Sequence, residues 1–235
     1  MEISKSTARG LLASSLFAVT LARAQVPNLA PEDKDAIERL SASYAKALAS
    51  CHAEELADLF VPETGSFASG FRGRMVGREK LILLVESERH CTGAQAARPS
   101  GNPPTIAIEA TPFGARGVAK LGMAEYQDEY TRTQMGWKLA SRTVITAAEK
   151  AAGLDAREML AIQKLGGANL GDYYEPDPSG VSRLLTSGVR INISGNEVTG
   201  RAFLRDGGYD DLVYEKLGPG QWRVKSSTHV AATGR

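Results

Sequence analysis

One strand–turn–strand pattern is written twice in this chain, and that doubling constrains the fold more than any bulk property. The first copy reads YQDEYTRTQMGWKLASRTV from Tyr126, the second YDDLVYEKLGPGQWRVKSSTHV from Tyr209. Tyr126 and Asp128 answer Tyr209 and Asp211, and Trp137 answers Trp222. Alternating side chains on either side of a glycine-containing turn predict antiparallel hairpins. Such a chain houses strands in both of its halves.

Ahead of the first hairpin the period is helical. Ile37, Leu40, Tyr44 and Leu48 recur along Pro31 to Ala49, with Glu32, Asp33 and Asp35 where a helix dipole favours acids. A second helix is expected over Ala53 to Phe60, ended by Pro62, with SCH as the turn between the two. A third is expected from Arg78 to about His90. Strands follow in TIAIEA, GVAKLGMAEYQDEYTRT and WKLASRTVIT. Helices and then antiparallel strands make an α+β fold, with three N-terminal helices on one face of a curved antiparallel sheet.

The second half reads as a linker over Ala147 to Asp155, a helix over Ala156 to Leu165, an irregular segment GGANLGDYYEPDPSG and then further antiparallel strands. It repeats the sheet half of the first section, and AIQKL at Ala161 is a weak echo of AIERL at Ala36. The expected organisation is a leader over 1–24, an α+β domain over 25–148 and a partial repeat over 149–235.

The leader rests on Lys5 and Arg9, the apolar run GLLASSLFAVTLA and the small-x-small site Ala22-Arg23-Ala24. It predicts export, to the periplasm or the exterior, with the mature chain starting at about Gln25 and no membrane span thereafter. In an oxidising compartment Cys51 and Cys91, the two cysteines of the chain, either form one bridge or stay as buried thiols. They do not have the spacing of a metal site with His52, His90 or His229, and no metal or cofactor is expected. With 28 Lys and Arg against 27 Asp and Glu, no global field draws the chain to nucleic acid. The run Arg72, Arg74, Arg78 and Lys80 is either an anion patch or a solvated face.

Several motifs taken together resemble the nuclear transport factor 2-like superfamily, and its secreted SnoaL-like members in particular. YAKALASCHAEELADLF from Tyr44 is similar to the helix pair that opens ketosteroid isomerase, GREKLI to the entry of the third helix, and YQDEYTRTQMGWKLASR to the closing hairpin. The resemblance implies a cone, a curved sheet around a long helix, with an apolar pocket for a small molecule; it also implies dimerisation through the outer sheet face. Tyr44 matches the tyrosine that hydrogen-bonds the developing oxyanion in the isomerase. The isomerase base falls on Ala68, the polyketide-cyclase-like Asp and His positions fall on Thr143 and Ser141, and the Arg-His pair reads RPSGN from Arg98.

Strand alternation sets Tyr126, Asp128 and Tyr130 on one face, and Trp137, Leu139, Ser141 and Thr143 on one face of the next strand. The expected ligand-binding set is Tyr44, Phe60, Phe67, Tyr126, Trp137 and Ser141. Three functions fit it. The cone binds a small, largely apolar molecule without catalysis; or it is a cofactor-free lyase or isomerase with Tyr44 as donor and Asp128 as acid/base; or it is an interaction domain whose pocket its own aromatics fill. Asp128 could equally be structural, accepting hydrogen bonds from the backbone or an arginine at the sheet, and its recurrence as Asp211 favours that role.

Overall fold

The structure is a computed structural model that describes residues 28–93, 105–121, 123–176 and 182–232. The leader read at residues 1–24 and the RPSGN segment from Arg98 lie outside the described residues.

Three helices open the chain: α1 (Pro31–Ala49), α2 (Ala53–Ala57) and α3 (Arg78–Glu86), with a hairpin of β1 (Ser66–Ser69) and β2 (Gly73–Val76) between the last two. Pro31 sits in the first turn of α1, and Ile37, Leu40, Ser41, Tyr44 and Ala47 form its buried stripe. Fully burying an apolar side chain of this size contributes roughly 1.5–3 kcal/mol. Cys51 turns the chain into α2 with a φ of 59° and bonds to Cys91, tying the end of α1 to the turns that follow α3. Helix α2 stops before Phe60 because Leu139 competes for its chain: Val61 N–H donates to Leu139 O, and Leu139 N–H to Leu59 O. Helix α3 likewise ends at Glu86 and gives way to turns.

A meander follows, β3 (Ile106–Thr111), β4 (Gly114–Leu121), β5 (Ala124–Thr133) and β6 (Gly136–Ile145). The run expected as one strand from Gly117 is therefore two, reversing between Leu121 and Ala124. Next come α4 (Ala147–Ala151), inside the expected linker, and α5 (Ala156–Lys164). The last strands are β7 (Asp172–Pro176), β8 (Ser182–Ser187), β9 (Val189–Ser194), β10 (Glu197–Phe203), β11 (Tyr209–Gly218) and β12 (Gln221–Val230). Strand β7 lies in a segment whose composition reads as irregular.

The strands build two sheets. The larger has eight, in the order β3-β4-β5-β6-β1-β2-β8-β7, and the smaller is the antiparallel meander β9 to β12. Strand β1 runs parallel to β6 and antiparallel to β2. The second section enters the larger sheet through one register pair, Gly73 with Ser187, supported by Ser187 N–H donating to Arg72 O. Gly188, at φ 84°, then turns the chain out of one sheet and into the other.

One core lies between α1 to α3 and the larger sheet, centred on Ile37, Tyr44, Phe60, Met75, Leu81 and Leu139. The second lies under α5 and joins Met159 and Ile162 to Val189, Val198 and Leu212. Ile145 of β6 belongs to this second core, so the two sections share packed surface. Among the described residues no helix is long and apolar enough to cross a membrane.

Candidate functional site

A row of register partners crosses the larger sheet on the face that α1 covers: Gly117, Asp128, Arg142, Phe67 and Met75, from β4 to β2. Register partners share a face, and residues two apart on one strand do too, which brings in Tyr126 and Tyr130. At the centre Arg142 and Asp128 are 1% and 3% exposed. Arg142 Nε donates to Asp128 Oδ1 at 2.8 Å and Nη2 to Oδ2 at 2.6 Å, a two-point pairing. Nη2 also reaches Ser41 Oγ on α1 at 3.2 Å, and Tyr130 Oη donates to Asp128 Oδ2 at 2.6 Å. The guanidinium is sandwiched, 4.0 Å from the ring centre of Tyr44 and 4.4 Å from that of Tyr126. Glycine is required at 117, since a Cβ there would stand 2.8 Å from Ile106 and 2.9 Å from the Tyr130 ring.

Arg142 is the residue that sequence alternation misses, and a β-bulge is the reason. Glu129 pairs with Ser141 and Tyr130 with Leu139, so Ala140 has no partner. The extra residue shifts the phase of β6, and Leu139 and Arg142 point inward together. Ser141 consequently lies on the outer face, opposite Glu129, which corrects its expected place in the ligand-binding set. Thr143 follows it outward and is the register partner of Ala68. The two positions that correspond to bases in the resembled enzymes thus face away from α1.

The other expected residues divide as follows. Tyr44, Phe60, Phe67 and Tyr126 are together and buried, Tyr44 standing edge-on to Phe60 at 6.1 Å and to Tyr126 at 6.0 Å. Trp137 keeps the inward phase but sits at the start of α1, where its Nε1 donates to Asp33 Oδ1 at 2.8 Å. Asp128 is present, but not as a free carboxylate among aromatics: three donors hold its two oxygens. The arrangement is that of an arginine-bound acid at the sheet. Asp211, its counterpart in the second hairpin, also pairs through two bonds, with Arg201, but on a half-exposed surface.

Burial disfavours the charge on Arg142, yet the Asp128 carboxylate more than offsets it and holds the guanidinium above its ordinary pKa. Burial raises the Tyr44 phenol, with the neighbouring Tyr126 adding to the shift. Burial and then the Asp128 charge raise Tyr130. Both phenols therefore remain donors at any physiological pH. Tyr130 spends its proton on Asp128, while the Tyr44 ring covers the Arg142 guanidinium.

The histidines serve locally: His90 contacts Leu48 O, His52 pairs with Glu55 and His229 with Asp210. The ligand atoms of Cys51, His90 and Cys91 fall within 4.8 Å of one another, but both sulfurs are committed to the disulfide and offer no thiolate. Several cavities bounded by described residues open elsewhere. One of about 590 Å³ lies at the seam of the two sections, and one of about 960 Å³ over the open face of the smaller sheet.

The family model for the SnoaL-like domain matches residues 30–143, from the threshold of α1 to the residue after Arg142. The chain carries a SnoaL-like domain. Similar solved structures include a nuclear transport factor 2-like protein with a cystatin-like fold from Novosphingobium aromaticivorans, at 22% identity and TM-score 0.42, covering 55% of this chain and 89% of that one. A cystatin-fold protein of unknown function from Nostoc punctiforme has 20% identity and TM-score 0.41, with 50% and 93% covered. A protein from Novosphingobium aromaticivorans provisionally titled a scytalone dehydratase has 20% identity and TM-score 0.38, with 49% and 84% covered. A search of curated proteins found no match. In this chain the SnoaL-like domain supplies β1 and β2 as the attachment for β8, so its sheet continues into the second section.

Proposed function

We propose that the SnoaL-like domain binds a small, largely apolar molecule with one hydrogen-bonding group, which Tyr44 engages beside the Arg142–Asp128 pair. The observation that carries this reading is the buried aromatic cluster of Tyr44, Phe60, Phe67 and Tyr126 gathered around the Arg142–Asp128 pair. Small-molecule sites are mostly apolar and aromatic with a few placed polar groups, and the Tyr44 hydroxyl is the donor that such a ligand would meet. Binding without acid/base turnover is the form the geometry favours, because Asp128 is engaged by Arg142 and Tyr130, and Ala68 and Thr143 face outward. Export is part of the same proposal, supported by the leader sequence and by the Cys51–Cys91 disulfide, a bond at home in oxidising compartments.

Native mass spectrometry of protein purified from its own host tests both parts. The expected spectrum shows a chain beginning near Gln25 and carrying a small-molecule mass that denaturation releases. Tyr44→Phe should weaken retention by about 0.5–1.5 kcal/mol, one hydrogen bond. A wild-type spectrum without added mass removes the binding reading, and a chain that keeps Met1 removes export.

A further inference from the structure

The basic run of the sequence does not act as one face. Arg72 turns inward and donates to Leu184 O, with Ser87 Oγ and Glu88 beside it. Arg78 stays at the surface with Asp58 and Glu54. Arg74 and Lys80 do something else: they border the cavity of about 590 Å³ at the seam, whose lining also includes Lys164 at the end of α5 and Arg205 beyond β10.

Asp172 is the one acid in that lining, and it is occupied, paired with Lys80 and accepting from Ser187 Oγ at 2.8 Å. Four cations against one carboxylate leave three positive charges in excess, in a chain whose net charge is only +1. Arg74 is half-buried and forms no ion pair with a described residue; burial lowers its pKa and no acid offsets the shift. A desolvated guanidinium without a counter-charge is an unfavourable arrangement on its own.

A second observation in the same lining is independent of charge. Gln163 is 4% exposed, and its Nε2 donates to Ser69 O at 3.2 Å, which fixes the amide orientation. Its Oε1 is then left without a donor. Unpaired cations and an unpaired buried acceptor ask for complementary parts of one molecule.

We propose that this cavity binds a small anionic molecule, a phosphate or carboxylate that also carries a hydroxyl group. Arg74, Lys164 and Arg205 take the anionic oxygens, and Gln163 Oε1 accepts from the hydroxyl. The cavity size is that of ordinary small-ligand sites. Because Arg74 comes from the SnoaL-like domain and Lys164 and Arg205 from the second section, the ligand bridges the two and binding stabilises their junction. This site is separate from the Tyr44 cluster and does not depend on what that cluster binds.

The test is titration calorimetry of the full mature chain with inorganic phosphate and, separately, with citrate, each against chloride at matched ionic strength. Saturable binding of at least one of the two is expected, and whichever binds more tightly assigns the anion class. Arg74→Gln should weaken that binding about tenfold, the loss of one charged hydrogen-bonding group. Lys164 is exposed, so Lys164→Gln should weaken binding without disturbing the fold, and it decides alone should Arg74→Gln fail to fold. No saturable binding of either anion beyond chloride overturns the proposal, as does wild-type affinity in both folded variants.

Discussion

Asp128→Asn is the substitution that most directly tests how the SnoaL-like domain is held together. The pair it breaks is fully desolvated, with side-chain exposures of 1% for Arg142 and 0% for Asp128. Asparagine keeps the shape but turns an amide N–H₂ toward Arg142 Nε or Nη2, donor against donor, and removes the only charge that balances the guanidinium in that pairing. Removing one partner of a buried ion pair costs about 3–5 kcal/mol. Domains of ordinary stability have roughly 5–15 kcal/mol to lose. At a urea slope of about 2 kcal/mol/M, the unfolding midpoint should fall by about 1.5–2.5 M. The compensating double variant, Asp128→Leu with Arg142→Met, removes both charges and leaves apolar side chains between Tyr44 and Tyr126. It should recover most of the loss, since replacing a buried pair by packed apolar groups is often neutral. Urea titrations of the oxidised protein, followed by tryptophan fluorescence, give all three midpoints. An Asp128→Asn shift below about 1 kcal/mol would refute the reasoning.

Two further outcomes are expected. Reducing the Cys51–Cys91 bond, which spans 40 residues of sequence, should lower stability by about 2–4 kcal/mol, mainly by freeing the unfolded chain; equal melting of reduced and oxidised protein would sink that account. Burial alone would raise the pKa of Glu158, but the Gly220 N–H, Trp222 Nε1–H and Lys216 outweigh it, so the folded value lies below the usual one. The unfolded chain then binds more protons, so this stabilisation is full above about pH 4.3 and lost as pH falls through the folded value. Glu158→Gln should therefore lower Tm at pH 7 and flatten its fall between about pH 4.5 and 3, and parallel Tm profiles for the two proteins would contradict it.

How far the sequence carries a reader is visible at particular residues. The stripe of α1 is legible because period and burial coincide at Ile37, Leu40 and Tyr44. The hairpins are legible too, down to their likeness: in both, the unpaired bulge residue stands three places after the tryptophan, Ala140 after Trp137 and Lys225 after Trp222. The same bulge hides the site. Strict alternation assigns Ser141 to the inner face and passes over Arg142, because one inserted residue inverts every later side chain. A buried arginine in a strand of mixed composition carries no local mark; its partner, Asp128, is set by register across a hairpin. The entry of β8 into the first sheet is equally unreadable, since a parallel contact through Gly73 and Ser187 leaves no periodic trace.

That same contact has a bearing on how the chain is made. Strand β2 finds its outer neighbour only in residues more than a hundred positions downstream, at Ser187, while its inner neighbour β1 depends in turn on β6. Contacts so distant in sequence form late, after the entropy of closing long loops has been overcome. Until the second section is synthesised, the larger sheet ends in a short strand with its hydrogen-bonding groups unclaimed. Such an edge is an invitation to pair with another chain. The final third of the sequence thus caps an edge that the first two thirds alone would leave open.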